Sequence, residues 1–181
     1  MTRFAGLVAA GQPVLDLACG NGRHGRHFLQ KGHPVLFLDR DTGAVQDLTE
    51  GGAATVLTAD LEDGSPWPLA GQYFAGIVVT NYLFRPVFPK LLDALAPGGV
   101  LIYETFARGN EIFGRPRNPD HLLAENELLD LTNDQLHIVA FEQGMTDKTP
   151  IPGVIQRLCG VKKTETSLQS GAGTRHPLSP A

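Results

Sequence analysis

A series of short, nearly uninterrupted apolar runs constrains this chain more than any other feature: residues 14–18, 35–38, 54–59, 74–80 and 100–106. Runs of this kind have no solvent side to make polar, so they predict strands buried on both faces, as in a parallel sheet. The segments between them have helical spacing. Residues 23–31 place Phe28 and Leu29 on one side and stop at Gly32, and residues 42–50 put Val45 and Leu48 on one face. Residues 86–95 start on a proline and stop at Pro97-Gly98-Gly99. Residues 61–72 carry prolines and glycines that make that crossover irregular. Strand and helix in alternation predict an α/β fold with a doubly wound, mainly parallel sheet. The length of 181 residues suits one domain, expected over residues 1–161.

The pattern changes after residue 106. Residues 107–120 hold Arg108, Arg115 and Arg117 among prolines and glycines with little periodicity, which predicts a functional loop or lid. Residues 125–131 predict a short helix, and residues 136–141 and 154–161 an antiparallel pair at one sheet edge. Residues 162–181, rich in Ser, Thr, Gly and Pro, are expected to form a disordered tail.

The first strand runs into Cys19-Gly20-Asn21-Gly22, and Gly20, Gly22 and Gly25 complete a G-x-G-x-x-G between a strand and a helix. In that context the motif predicts a nucleotide-like ligand, with an anionic group at the helix N-terminus. Two ligands can use such a turn. A dinucleotide would bring its diphosphate against the carboxylate of Asp16, on the strand just before. S-adenosyl-L-methionine brings an ammonium that Asp16 can pair, and a carboxylate suited to the helix N-terminus and to His24. A charge-assisted hydrogen bond contributes about 1.5–3 kcal/mol, whereas a like-charge contact costs energy, so Asp16 favours the sulfonium cofactor. Asp39, closing the second strand, suits the two hydroxyls of a ribose in either ligand. Asp60, closing the third, suits an adenine amine, with the Leu61 N–H facing a ring nitrogen. Ligands of open α/β sheets lie beyond the carboxyl ends of the strands, so these acids are expected to share one crevice with Ala18 and Asn81.

The stretch Val14-Leu15-Asp16-Leu17-Ala18-Cys19-Gly20-Asn21-Gly22-Arg23-His24 resembles motif I of the class I S-adenosylmethionine-dependent methyltransferases. Asp39 after Val35-Leu36-Phe37-Leu38, the run Thr58-Ala59-Asp60-Leu61, and Leu95-Ala96-Pro97-Gly98-Gly99-Val100-Leu101 resemble later motifs of that family at fitting intervals. Tyr103-Glu104-Thr105-Phe106 and Gly109-Asn110-Glu111 are similar to the small bacterial, tellurite-resistance-type members. The resemblance covers residues 14–106 most closely and reaches residue 161. It implies a Rossmann-like seven-stranded sheet of order 3-2-1-4-5-7-6 with the seventh strand antiparallel, and methyl transfer from S-adenosyl-L-methionine to a small-molecule acceptor. Two departures stand out. Only about a dozen residues precede the first strand, where members often carry a fuller helix over the cofactor, so a more open site is expected. Val79-Thr80-Asn81-Tyr82-Leu83 lacks the Asp/Asn-Pro-Pro-Tyr pattern of amino-group DNA methylases, which removes support for nucleobase methylation.

Other residues carry weaker expectations. Tyr82 and Arg85, after the fourth strand, and Arg115 and Arg117, in the loop, are candidates for contact with the substrate, and their arginines would suit an anionic one. Methyl transfer is an in-line displacement that needs few dedicated acid–base groups, so the sequence singles out no catalytic residue. His24, His27 and His33 lack a ligand spacing for a metal, and Cys19 lacks a neighbouring base, so neither metal nor covalent chemistry is expected. A net charge of −4 gives no basic excess for a nucleic acid. The two cysteines, Cys19 and Cys159, fit a reducing, cytoplasmic setting, and no secretory signal or membrane span is visible. An NAD(P)-dependent oxidoreductase and a non-catalytic cofactor-binding module are the alternatives.

Overall fold

The computed structural model of the chain describes residues 2–146 and 152–164. Among these, seven strands form one sheet in the order β3-β2-β1-β4-β5-β7-β6. In sequence they are β1 (Val14–Leu17), β2 (Val35–Asp39), β3 (Ala54–Thr58), β4 (Phe74–Thr80), β5 (Leu95–Phe106), β6 (Leu136–Thr146) and β7 (Gly153–Lys162). Strands β1 to β5 pair in parallel, and β7 runs antiparallel to both β5 and β6. This is the expected order, including the antiparallel edge pair.

Alternate residues of each strand point to opposite faces, so a strand buried on both must be apolar at every position. Leu15 and Leu17 of β1, Ile77 and Val79 of β4, and Leu101 of β5 pack on one face, under α2 (Phe88–Asp93) and α3 (Glu127–Thr132). Val14, Phe37, Val78 and Ile102 pack on the other, under α1 (Arg23–Gln30) and a 3-10 turn at Thr2–Leu7. Each fully buried large side chain contributes about 1.5–3 kcal/mol. Asp16 breaks the apolar rule in β1, the strand at the centre of the parallel section, where it is only 2% exposed. The residues before β1 therefore cover a sheet face.

Three expectations are corrected. Residues 42–50 were expected to be α-helical, but a 3-10 helix spans Gly43–Gly51. The reason is local: the Thr42 hydroxyl that would cap an α-helix is bonded to the Thr58 hydroxyl at 2.6 Å and to Gln46 Nε2 at 3.0 Å. The helix expected at 86–95 is a 3-10 turn at Arg85–Val87 followed by α2, because Pro89 has no N–H and must fall in the first turn. The strand expected from residue 100 starts at Leu95, which pairs with Phe74 before a bulge resumes the ladder at Gly76 and Val100. Gly99 sits inside this bulge, where a Cβ would lie 2.8 Å from the Ala96 carbonyl oxygen. The expected tail lies outside the described residues from position 165 on, as does part of the connection between β6 and β7. Among the described residues no helix is long and apolar enough to cross a membrane.

Candidate functional site

The carboxyl ends of the parallel strands open onto a cavity of about 500 Å³. Sheet order reverses between β1 and β4, and this switch point lies at its centre. Ala18, just after β1, and Asn81, just after β4, both line the cavity and both hold a positive φ, of 52° and 55°. Left-handed backbone at a non-glycine residue costs about 1–3 kcal/mol and persists where surrounding structure enforces it. Here the enforcement is visible. Cys19 N–H donates to the Leu38 carbonyl at 3.1 Å and Asn81 N–H to the Glu104 carbonyl at 2.9 Å, so each strand tip is tied to a neighbour.

Asp39 ends β2 at the cavity wall. Its Oδ2 accepts the Gly20 N–H at 2.8 Å and its Oδ1 the Asp41 N–H at 3.0 Å. A carboxylate has about four lone-pair sites, so each oxygen keeps one for a further donor. The turn between β1 and α1 and the end of β2 are thus joined through the residue expected to meet a ribose. Asp60 and Leu61, after β3, line the same wall, and Asp60 Oδ1 accepts the Glu62 N–H at 2.9 Å. Tyr82 lines the opposite side. Its carbonyl accepts the Tyr103 hydroxyl at 2.7 Å, and Tyr103 stacks on Phe88 at 5.0 Å. Tyr82 Oη is itself buried without a hydrogen bond of ordinary distance and angle. Burial first, then the charge of Glu62 and the phenol's interaction with that carboxylate, then the charges of Asp60 and Asp39, push the phenol above its usual range.

The glycine turn is built differently from expectation. Asp16 does not line the cavity: its Oδ2 accepts the Gly25 N–H, in the first turn of α1, at 2.7 Å. Burial, opposed by that N–H and by Arg23 and assisted by Asp39, raises the carboxyl to about 7. Gly22 and Gly25 face inward. A Cβ on Gly22 would lie 2.6 Å from Val45 Cγ1, and one on Gly25 2.2 Å from Phe37 Cε1 and 2.9 Å from Asp16 Oδ2. Both glycines therefore let α1 lie directly on β1 and β2. Gly20, with a φ of 54°, has open space where a Cβ would be. His24 is turned to Arg23, whose Nε donates to its Nε2 at 2.9 Å; burial and that cation hold the ring down at about 4. Gly20, Gly22 and His24 are not part of the cavity wall. Cys19 is a packing residue, its thiol pushed up to about 12 by burial and by Asp16 and Asp39.

The substrate candidates divide. Tyr82 lines the cavity, but Arg85 is consumed elsewhere. Its guanidinium forks onto both oxygens of Glu127, at 2.9 Å for Nη2 to Oε2, and also donates to the carbonyls of Asp120 and Leu122 at 2.7 and 3.0 Å. Arg115 and Arg117 are exposed and outside the wall, while their neighbour Pro116 and, further on, His121 line it. The loop is pinned where it returns to the sheet: Leu123 N–H donates to the Phe106 carbonyl and Arg108 N–H to the Leu123 carbonyl. Arg40, Glu62, Thr105, Phe106 and His121 are wall residues that sequence reasoning did not assign. Their signal was position, since each follows or ends a strand whose tip meets the cavity or sits in the loop read as functional. Among the described residues no group of three or more His, Cys, Asp and Glu is arranged for a metal ion.

No family model matches the chain, and no curated protein matches it. Solved structures do. TehB from Haemophilus influenzae superposes with a TM-score of 0.71 at 17% identity, over 88% of this chain and 60% of that one. The chain thus spans 60% of that protein's length. A SAM-dependent methyltransferase from Methanosarcina mazei gives 0.67 at 18% identity, over 88% and 96% of the two chains. The 1,6-didemethyltoxoflavin-N1-methyltransferase of Burkholderia thailandensis, solved with 1,6-didemethyltoxoflavin and S-adenosylhomocysteine, gives 0.63 at 16% identity, over 88% and 76%. The chain has the fold of S-adenosylmethionine-dependent methyltransferases, and TehB-like proteins are among its structural neighbours.

Proposed function

We propose that the protein is a methyltransferase that binds S-adenosyl-L-methionine and passes its methyl group to a small-molecule acceptor. The observation that carries this is the row of strand-end groups on one cavity: Asp39 and Asp60 at the tips of β2 and β3, with Ala18 and Asn81 across the switch point. In this reading Asp39 accepts the ribose hydroxyls, Asp60 and the Leu61 N–H take the adenine edge, and the amino-acid end reaches past Ala18 toward Gly20. When bound, the cofactor supplies an electrophilic methyl group on a sulfonium. The chain's own part is to orient that group, exclude water and hold the acceptor in line.

Asp16 supports the sulfonium cofactor over a dinucleotide by a route other than direct contact. Its carboxyl, bonded to the inward-facing Gly25 N–H, ionises near neutral pH directly behind the turn, and that charge opposes a diphosphate seated there. The cavity's volume of about 500 Å³ suits a ligand of the cofactor's size, pockets of about 300–1,000 Å³ being those that hold drug-sized molecules. A reducing, cytoplasmic setting belongs to the same reading, Cys19 and Cys159 both being buried free thiols. Calorimetric titration with S-adenosylhomocysteine, followed by an acceptor screen, tests the proposal. Binding with no transfer to any acceptor would favour a non-catalytic module, and binding of NADH in its place would favour an oxidoreductase.

A further inference from the structure

The cavity has two chemically distinct ends. On the β2 and β3 side stand the carboxylates Asp39, Asp60 and Glu62. On the β4, β5 and loop side the wall is Asn81, Tyr82, Thr105, Phe106, Pro116 and His121, and among these only His121 carries a basic nitrogen. The phenol of Tyr82 is held above its usual range and is a donor rather than a base. Among the described residues no arginine lines this end: Arg85 is bound to Glu127, and Arg115 lies outside the wall.

The backbone around His121 is held with unusual care for a surface turn. Pro119–His121 is a single 3-10 turn capped by Asn118, whose Oδ1 accepts the Asp120 N–H at 3.1 Å. Arg85 grips the carbonyl on each side of His121, those of Asp120 and Leu122, and is itself fixed by the two-point pair with Glu127. Glu127 Oε2 also accepts the Ala124 N–H at 2.7 Å, closing the frame. None of these bonds involves the imidazole. The frame orders the one residue of the turn that lines the cavity, and imidazole is the commonest general base near neutral pH.

Resting on the methyltransferase reading, we infer that His121 is a catalytic residue, the proton acceptor for a neutral O–H, N–H or S–H acceptor, and that Arg85 and Glu127 are its positioning residues. The acceptor X–H gives a lone pair to a new X–CH₃ bond as the C–S bond of the sulfonium breaks. The C–S pair returns to sulfur, the X–H pair stays on X, and the proton passes to a ring nitrogen of His121 and then to water. The substrate class follows: a small nucleophile that is uncharged at neutral pH, since the described residues at this end offer no fixed cation to an anionic one.

The test uses the full chain, wild type and His121→Gln, with S-adenosyl-L-methionine labelled with carbon-13 in its methyl group. His121 is exposed, so the substitution leaves the fold and the affinity for S-adenosylhomocysteine unchanged, as calorimetry will read. An isotope-edited nuclear Overhauser cross-peak is expected between the bound methyl and imidazole protons that vanish in His121→Gln. Turnover with phenol, which must lose its proton, falls about 100-fold or more in the variant, while turnover with pyridine, a neutral nucleophile with no proton to lose, falls little. Bound cofactor without the cross-peak, no wild-type turnover of phenol, or equal losses for phenol and pyridine, would overturn the assignment. Failure of the wild type to bind S-adenosylhomocysteine at all would overturn the cofactor reading first and this inference with it.

Discussion

Replacing Asp16 with Asn gives the sharpest test of how the glycine turn is built. Asp16 is 2% exposed, bonded to the Gly25 N–H, and has its carboxyl raised from 3.8 to about 7, with burial the largest cause. Because the folded pKa lies above the unfolded one, the folded state keeps a proton that the unfolded state has lost. Stability from this group is therefore fully present below pH 3.8 and is lost as pH rises through about 7. Integrating between those pKa values from about pH 5 to about pH 8 gives a loss of about 3 kcal/mol. The asparagine amide keeps an oxygen to accept the Gly25 N–H but carries no charge, so the variant escapes that loss. His24 and His27, whose folded pKa values are lowered, work in the opposite direction as pH falls, but they are common to both proteins and cancel in the difference. Denaturant unfolding of both proteins across this range is the assay. The variant is expected to gain about 3 kcal/mol on the wild type between the two ends, or roughly 6–12 °C in Tm for a domain of this size. Parallel pH profiles for the two proteins would refute the claim that a buried, titrating carboxyl sits behind the turn.

Two further substitutions probe the same region. Asp39→Ala removes the proposed ribose acceptor and the bond to the Gly20 N–H, so the unliganded protein is expected to lose about 1 kcal/mol and most of the thermal stabilisation by S-adenosylhomocysteine; an undiminished ligand shift would contradict the ribose assignment. Gly25→Ala drives a Cβ into Phe37 and toward Asp16 and is expected to cost about 1–3 kcal/mol by chemical denaturation, with partial recovery on adding Phe37→Leu; a neutral Gly25→Ala would mean that α1 is not seated on β2 as described.

The fold was legible because the physics that makes a parallel strand is visible one residue at a time. Val14, Leu15 and Leu17 have neighbours on both edges and both faces, and no polar alternation is compatible with that. Local competition was harder to read. Nothing in residues 42–50 announces that Thr42 will spend its hydroxyl on Thr58, sixteen positions away, and so leave an α-helix uncapped. Pro89 was the readable sign that the helix at 86–95 had to begin later. In the site, acids at strand ends could be placed from sequence because topology fixes where strands end. Asp39, Asp60, Leu61, Ala18 and Asn81 accordingly meet at one cavity. Asp16 could not be placed in the same way, since its orientation depends on which donor of α1 comes within reach once Gly25 lets the helix settle on Phe37. The fate of Arg85 depends on Glu127, forty-two residues later, and only tertiary structure brings the two together.

Parallel calorimetric titrations of the wild-type chain with S-adenosylhomocysteine and with NADH bear most directly on what the cavity holds. Heat from a single site for the sulfonium-derived ligand, with none for the dinucleotide, is the predicted result. Saturable NADH binding, or silence from both ligands, would contradict it.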